Sequence, residues 1–181
     1  MTQFQIHNVD SAPPESAAPL KTLSDALGFT PNLAAAMAGS PALIGGFMDL
    51  RARLATDVLN GVEREIVALA TSRENRCDYC IAVHSTFALM QGADAADVAG
   101  ARDGEPPDPK LGALYRFTRR LLTDGAEVDE LTAAGYPPET ALTVIAQIGL
   151  TTLANLAHRL THVPVDEAFA AQAWQPAQPV R

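Results

Sequence analysis

The chain has little of what three common classes of protein need. It carries 13 Lys and Arg against 21 Asp and Glu, a net charge of −8, without a basic cluster. Such a chain is a poor match for a nucleic-acid surface. The N-terminus, residues 1–7, has no basic start or long apolar core, and no window reads as a membrane span or a basic amphipathic anchor. We therefore expect a cytoplasmic protein with neither nucleic acid nor membrane as a partner.

Aromatic residues and strand patterns are also scarce. Only 6% of the residues are aromatic, whereas 48% are hydrophobic, and most of these are alanine and leucine. Apolar residues recur at helical spacing, and neither strand alternation, a P-loop nor a dinucleotide glycine fingerprint occurs. The sequence therefore predicts an all-α fold with no bound cofactor. At 181 residues the chain suits a single domain.

Proline and glycine mark the expected boundaries. Pro13 and Pro14 predict an extended N-terminal arm over residues 1–14, followed by an all-α domain over residues 15–172. Residues 173–181 read as a tail, in which Trp174 packs back and two further prolines leave the end loose. The segment from Pro137 to about Leu160 predicts the most apolar helix, equally consistent with a central core helix and with a subunit interface.

Both cysteines of the chain lie in one short segment, Cys77 and Cys80, with His84 four residues further on. If this segment is helical, the three side chains share one face. In a reducing cytoplasm a thiol pair is expected to be reactive rather than structural. The start of a helix favours the thiolate of Cys77, whereas a nearby histidine base favours that of Cys80. These residues alone do not decide between the two.

A carboxylate upstream completes the candidate site. Asn60 and Glu63 predict the capped start of a helix that carries Glu65. Glu65 has apolar neighbours on its own side, so we expect it to be drawn towards the interior, where a carboxylate needs a partner. His84 of the next helix is the obvious candidate.

Residues 65–84 read EIVALATSRENRCDYCIAVH. This stretch resembles the signature of the AhpD-like alkyl hydroperoxidases within the carboxymuconolactone decarboxylase superfamily, with the glutamate, both cysteines and the histidine at the family's spacing. Strong agreement runs from about residue 60 to residue 91. One position departs from the best-known members, which have a histidine just before the second cysteine where this chain has Tyr79.

The resemblance implies an AhpD-like helical bundle and a thiol peroxidase that reduces hydrogen peroxide or organic hydroperoxides. Cys80 would attack the peroxide and Cys77 would resolve the sulfenic acid as a redox-active disulfide. His84, aided by Glu65, would take the Cys80 proton. An external dithiol, lipoyl-bearing in the best-known relatives or thioredoxin-like, would then reduce the pair. Relatives form trimers, hexamers or dimers, so a homo-oligomer is expected.

Several alternatives remain open at this point. Cys77 and Cys80 could form a structural disulfide, or bind zinc together with His158 and His162, which lie four apart on a predicted helix. We expect no metal, and a surface or core position for both histidines. The superfamily name also suggests a lactone-processing decarboxylase, although the dithiol counts against it. A redox sensor or a zinc-stabilised interaction module is the non-enzymatic alternative.

Overall fold

The computed structural model describes residues 3–174, and helices account for most of them. Within this range the chain forms nine α-helices and one 3-10 helix, and no β-strand, which confirms the predicted all-α class. The helices are α1 (Pro14–Leu27), α2 (Asn32–Met37), α3 (Pro41–Leu54), α4 (Gly61–Glu74), α5 (Asp78–Met90), α6 (Ala95–Asp103), α7 (Pro109–Thr123), α8 (Val128–Ala133) and α9 (Thr140–Thr161), and the 3-10 helix is Glu167–Gln172.

Polar side chains set the starts of several helices by accepting hydrogen bonds from free backbone amides. Ser40 caps α3, Asp108 caps α7, and Asn60 caps α4. At α4 the cap is reciprocal, because Asn60 Oδ1 accepts from the Glu63 amide at 3.0 Å while Glu63 Oε2 accepts from the Asn60 amide at 2.9 Å. The predicted capping box is therefore confirmed.

Helix α4 is the centre of the fold and packs against α5, α6, α7 and α9. Its residues Ile66, Val67 and Leu69 are fully buried. Ile66 and Leu69 pack with Ile81 of α5, so the antiparallel α4–α5 pair is fixed by continuous apolar contact. Glu65 and the two cysteines are carried on this pair.

Helix α9 is buried on one side only. Val144, Leu150 and Asn155 face the interior, whereas its other side exposes a row of apolar side chains at helical spacing: Leu142, Ile145, Leu153, Leu156 and Leu160. By length and composition α9 could cross a membrane, so the expectation that no segment of the chain is apolar enough to span a bilayer was too strict. Half of this apolar stretch of α9 is buried inside the protein, and the core helix of a globular domain can have the same length and composition.

Three helix starts differ from the sequence prediction by one to three residues. Helix α1 begins at Pro14 itself, α2 at Asn32, and α9 at Thr140. Pro137 and Pro138 form a turn before α9, with the Thr140 amide bonded to the Pro137 carbonyl at 3.0 Å. Proline lacks an amide hydrogen, so the first turn of a helix tolerates it, but its position does not fix the residue at which the helix begins.

The segment after α9 returns across the body of the protein. The indole Nε1 of Trp174 donates to Asp103 Oδ1 at 3.1 Å, and Arg102 Nη1 donates to Gln172 Oε1 at 2.6 Å. Trp174 therefore packs back as predicted. The boundary between the domain and the proposed tail stays a prediction, and residues 175–181, including the loose end expected there, lie outside the described residues.

Candidate active site

The two cysteines lie at the N-terminus of α5, where the chain turns sharply out of α4. Arg76 adopts a left-handed conformation with φ 53° in that turn. Cys77 is the N-cap of α5, and its sulfur accepts a hydrogen bond from the Cys80 amide at 3.3 Å. Both cysteines are free and buried. A sulfur in the N-cap position meets the free amides and the positive end of the helix dipole, which favour a thiolate.

The pKa values of the two thiols are shifted in opposite directions, because a negative charge on one sulfur disfavours a second negative charge on its neighbour. A hydrogen bond from the Cys80 thiol, against the effect of burial and with help from His158, lowers the pKa of Cys77 to about 5. Burial, followed by the adjacent Cys77 sulfur, raises the pKa of Cys80 well above the ordinary thiol value. In the reduced protein the pair therefore holds its first negative charge on Cys77.

Glu65 and His84 form a hydrogen-bonded pair across the α4–α5 contact. His84 Nδ1 lies 2.7 Å from Glu65 Oε2, and the two side chains are 18% and 17% exposed. A carboxylate only accepts, so Nδ1 carries the hydrogen and Nε2 is left as the basic nitrogen. The structure thus brings together the predicted acid and base; their catalytic roles stay a prediction.

A cavity of about 120 Å³ opens beside this pair. Among the described residues Cys80, His84 and Glu65 line it, whereas Cys77 does not. The rest of its wall is mostly apolar, and includes Leu27, Leu33, Met37, Phe47, Val83, Phe87, Leu150 and Phe169. Access therefore distinguishes the cysteines, since a small substrate in the cavity meets the sulfur of Cys80.

The hydroxyl of Tyr79 is hydrogen-bonded to a buried carboxylate. It donates to Asp166 Oδ2 at 2.6 Å and accepts from the Leu33 amide at 3.4 Å. Burial, and then the hydrogen bond to Asp166, raise the pKa of Tyr79 far above its ordinary value. Tyr79 is therefore a fixed neutral phenol that holds its part of the chain in place.

His158 is the residue that sequence reasoning missed. It comes from α9, its ring stacks on Tyr79 with centroids 5.1 Å apart, and it helps to lower the pKa of Cys77. Its Nε2 lies 3.1 Å from the Val163 carbonyl, and its Nδ1 lies 3.7 Å from Asp78 Oδ1. Only the fold brings this residue to the thiols, because it lies 78 positions after Cys80 in the chain and no local motif connects the two.

The zinc alternative is not supported by the arrangement of these histidines. His162 ends α9 in a left-handed conformation with φ 50° and is exposed. Over residues 3–174 no group of three or more His, Cys, Asp or Glu side chains could hold a metal ion. The predicted surface or core positions are correct for His162, whereas His158 joins the thiol site.

Asn155 supports the same side of the site. Its Nδ2 donates to Ser72 Oγ at 3.1 Å, and its Oδ1 accepts from Asn75 Nδ2 at 2.8 Å. It also lies beside the sulfur of Cys80, whose pKa it lowers against the larger effect of burial. Asn155 and His158 are three residues apart on α9, and that spacing is the one sequence signal that placed them on a shared face.

Comparisons with known proteins agree with this fold. Solved structures with the same fold include an AhpD-core peroxidase-related protein from Ralstonia eutropha JMP134, with a TM-score of 0.80 at 19% identity over 93% of this chain and 94% of that one. A peroxidase-related protein from Silicibacter sp. TM1040 has a TM-score of 0.77 at 19% identity over 94% and 95%. The fold is thus that of the AhpD-like helical proteins.

The sequence itself points to the same group. Residues 41–105 match the Carboxymuconolactone decarboxylase family, so the predicted relation of the chain to the AhpD and carboxymuconolactone decarboxylase superfamily is confirmed. The matched residues span α3 to the end of α6 and contain Glu65, both cysteines and His84. No curated protein matches the chain in sequence.

A third solved structure adds a different activity to the comparison. The debrominase Bmp8, solved as a cysteine-to-alanine variant in complex with 2,3,4-tribromopyrrole, has a TM-score of 0.79 at 19% identity over 95% of this chain and 96% of that one. The same fold is therefore also that of a debrominase.

Proposed function

We propose that the protein is a dithiol peroxidase that reduces hydrogen peroxide or organic hydroperoxides. The observation that carries the proposal is the wall of the cavity, where Cys80 lies one helical turn from His84, which is itself hydrogen-bonded to Glu65 at 2.7 Å. A nucleophile, a base and a group that orients the base are the parts that activated thiol chemistry requires. A second sulfur, Cys77, is already next to the first.

The reaction balances with these groups alone plus an external dithiol. Cys80 loses its proton to His84 Nε2, and its sulfur attacks the distal peroxide oxygen, which breaks the O–O bond and leaves a sulfenic acid. The departing alkoxide takes the proton from His84 as the alcohol. The thiolate of Cys77 then displaces hydroxide, which takes a proton from solvent and leaves as water, and a disulfide forms. Two electrons from the external dithiol restore both thiols.

Access and acidity point to different first nucleophiles, and we assign the attack to Cys80. Cys77 is the more acidic thiol but lies outside the cavity lining, whereas Cys80 faces the cavity and the base. A peroxide must reach the sulfur before acidity matters. The low pKa of Cys77 suits the later step, because it is a thiolate when the sulfenic acid forms.

Peroxide consumption with dithiothreitol as the donor tests the proposal. Cys80→Ser should abolish turnover, and His84→Gln should slow it by about 100-fold or more, as expected for loss of a general base. His162→Asn, a change at an exposed histidine that tolerates its left-handed conformation, is the matched control and should keep the wild-type rate. Wild-type turnover in both Cys80→Ser and Cys77→Ser would eliminate the mechanism.

The order of attack has its own test. A sulfenic-acid reagent should label Cys80 in the Cys77→Ser variant after one equivalent of peroxide. Labelling of Cys77 in the Cys80→Ser variant, with none in the reverse case, would instead assign the first attack to Cys77.

Thiol-dependent dehalogenation of a halogenated aromatic is the second candidate. Its support is the apolar cavity beside Cys80 together with the similarity to the debrominase. The protonated His84 would deliver a proton to the ring carbon while the Cys80 thiolate takes the bromine, and Cys77 would then displace bromide to form the disulfide. Each disulfide would release one bromide. Bromide measured from 2,3,4-tribromopyrrole and the reduced protein decides this candidate, since disulfide without bromide excludes it.

The lactone-processing alternative differs in not needing the thiols. Decarboxylation should survive alkylation of Cys77 and Cys80, whereas peroxide reduction and dehalogenation should not. One substrate screen on the alkylated protein therefore separates it from both candidates above.

A further inference from the structure

The thiol pair has a different histidine on each side. His84 of α5 lines the cavity with Cys80, while His158 of α9 lies against Asp78 and Tyr79, the two residues that follow Cys77. Building on the proposed dithiol function, we propose that His158 is the catalytic partner of Cys77: it holds the Cys77 sulfur as a thiolate for the resolving step and stabilises it as the leaving group when the disulfide is reduced.

Contacts on three sides fix the ring of His158. It is stacked on the buried Tyr79 ring with an interplanar angle of 26°. Its Nε2 must carry the hydrogen that it shares with the Val163 carbonyl at 3.1 Å, because a carbonyl only accepts. Nδ1 is then the nitrogen that gains or loses a proton, and the Asp78 carboxylate lies 3.7 Å from it. A histidine held in this way is prepared to carry a positive charge.

The titration behaviour of both groups fits this pairing. Burial alone lowers the pKa of His158, but the hydrogen bond and charge of Cys77, followed by Asp78, raise it above its ordinary value. The other titratable or charged groups around the pair are Cys80 and Asp78 on α5, Arg76 in the turn before Cys77, Arg159 on α9, and Asp166 beyond Tyr79.

The direction of disulfide reduction follows from the same geometry. An external thiolate reaches Cys80 through the cavity, forms a new S–S bond to it and breaks the bond to Cys77, whose electron pair leaves on the Cys77 sulfur. The more stable thiolate leaves faster. His158 therefore acts on the sulfur of Cys77, and His84 acts on the sulfur of Cys80. Each sulfur has its own proton partner.

Titration of a single thiol tests the pairing without any peroxide. In the Cys80→Ser background, where the hydroxyl keeps a donor beside Cys77, the pH dependence of the ultraviolet absorbance of the thiolate gives the pKa of Cys77 without a reagent having to reach this buried sulfur. We expect His158→Gln to raise that midpoint by about 1 to 3 pH units, because a cation beside the thiolate is removed. At pH 6, from a starting pKa of about 5, a rise of one, two or three units should lower the thiolate fraction about twofold, about tenfold or about 90-fold.

Two controls keep the test decisive. His162→Asn in the same background should leave the midpoint unchanged. In the reverse direction, the imidazole signal of His158, followed by NMR in the otherwise unchanged protein, should titrate at lower pH in Cys77→Ser than in the wild type. An unchanged Cys77 midpoint in a folded His158→Gln protein, or an unchanged His158 titration in Cys77→Ser, would overturn the pairing. Absence of peroxide turnover would defeat the proposed function and leave these titrations unaffected.

Discussion

Asp166 connects three separate segments of the chain, and its removal should loosen the site. Its carboxylate accepts from the Tyr79 hydroxyl at 2.6 Å and from the Asn32 amide, the first amide of α2, at 3.0 Å. Asp166 is 8% exposed and Tyr79 is 2% exposed. The N-cap residue of α2 is Pro31, which has no side-chain donor or acceptor, so the Asp166 carboxylate caps this end of the helix instead.

The expected cost can be worked out from these two hydrogen bonds. A hydrogen bond to a charged group contributes about 1.5 to 3 kcal/mol, and Asp166→Ala removes both while leaving the buried Tyr79 hydroxyl without an acceptor for its hydrogen. We expect the free energy of unfolding to fall by about 3 to 5 kcal/mol. For a chain of this size that corresponds to a decrease in Tm of about 6 to 20 °C.

A double-mutant cycle measured by urea unfolding isolates the Tyr79 contact. Tyr79→Phe removes only the hydroxyl, so Asp166→Ala should cost less in the Phe background, with a coupling energy of about 1 to 2 kcal/mol. Glu167→Ala, a change of the neighbouring exposed carboxylate, is the matched control and should stay within about 0.5 kcal/mol of the wild type. A loss below about 1 kcal/mol for Asp166→Ala, with additive effects in the cycle, would refute the reasoning.

The remaining predictions concern the base, the core and the free face of α9. Glu65→Gln should reduce peroxide turnover to a value between the wild type and His84→Gln, because a neutral amide orients the imidazole without stabilising its charge; a wild-type rate would contradict this. Ile81→Ala, at a fully buried position, should cost about 2 to 5 kcal/mol in urea unfolding, and a cost under about 1 kcal/mol would contradict tight packing there. We further propose that the expected homo-oligomer buries the exposed apolar row of α9, which packs against the same row of a second copy. Leu156→Arg should therefore shift the sedimentation coefficient towards the monomer, whereas a wild-type monomer would contradict the interface.

Local sequence signals were sufficient for most of the fold. Apolar spacing, caps and glycine stops predict α3 and α7 with their observed bounds, because Ser40 and Asp108 act through neighbouring amides. Helix α2 shows the limit of such signals. Its start depends on Asp166, which is 134 residues away from Asn32 in the chain, so no local pattern identifies its partner.

The site shows the same division between local and distant contacts. Cys77, Cys80 and His84 are close because one helix carries them, and a carboxylate among apolar neighbours indicates that Glu65 needs a partner. His158 meets Cys77 only because α9 packs against this end of α5, and nothing in the sequence around His158 distinguishes it from His162. Glu63 is likewise buried beside a distant partner, Lys110 Nζ at 3.2 Å.

The most direct measurement is a count of free thiols before and after one equivalent of peroxide, made on protein purified without added metal. The account predicts that Cys77 and Cys80 both react with a thiol reagent at the start, that both are lost as one peroxide is consumed, and that dithiothreitol restores them. Thiols that remain free while peroxide persists, or that are already held by stoichiometric zinc, would contradict the dithiol cycle.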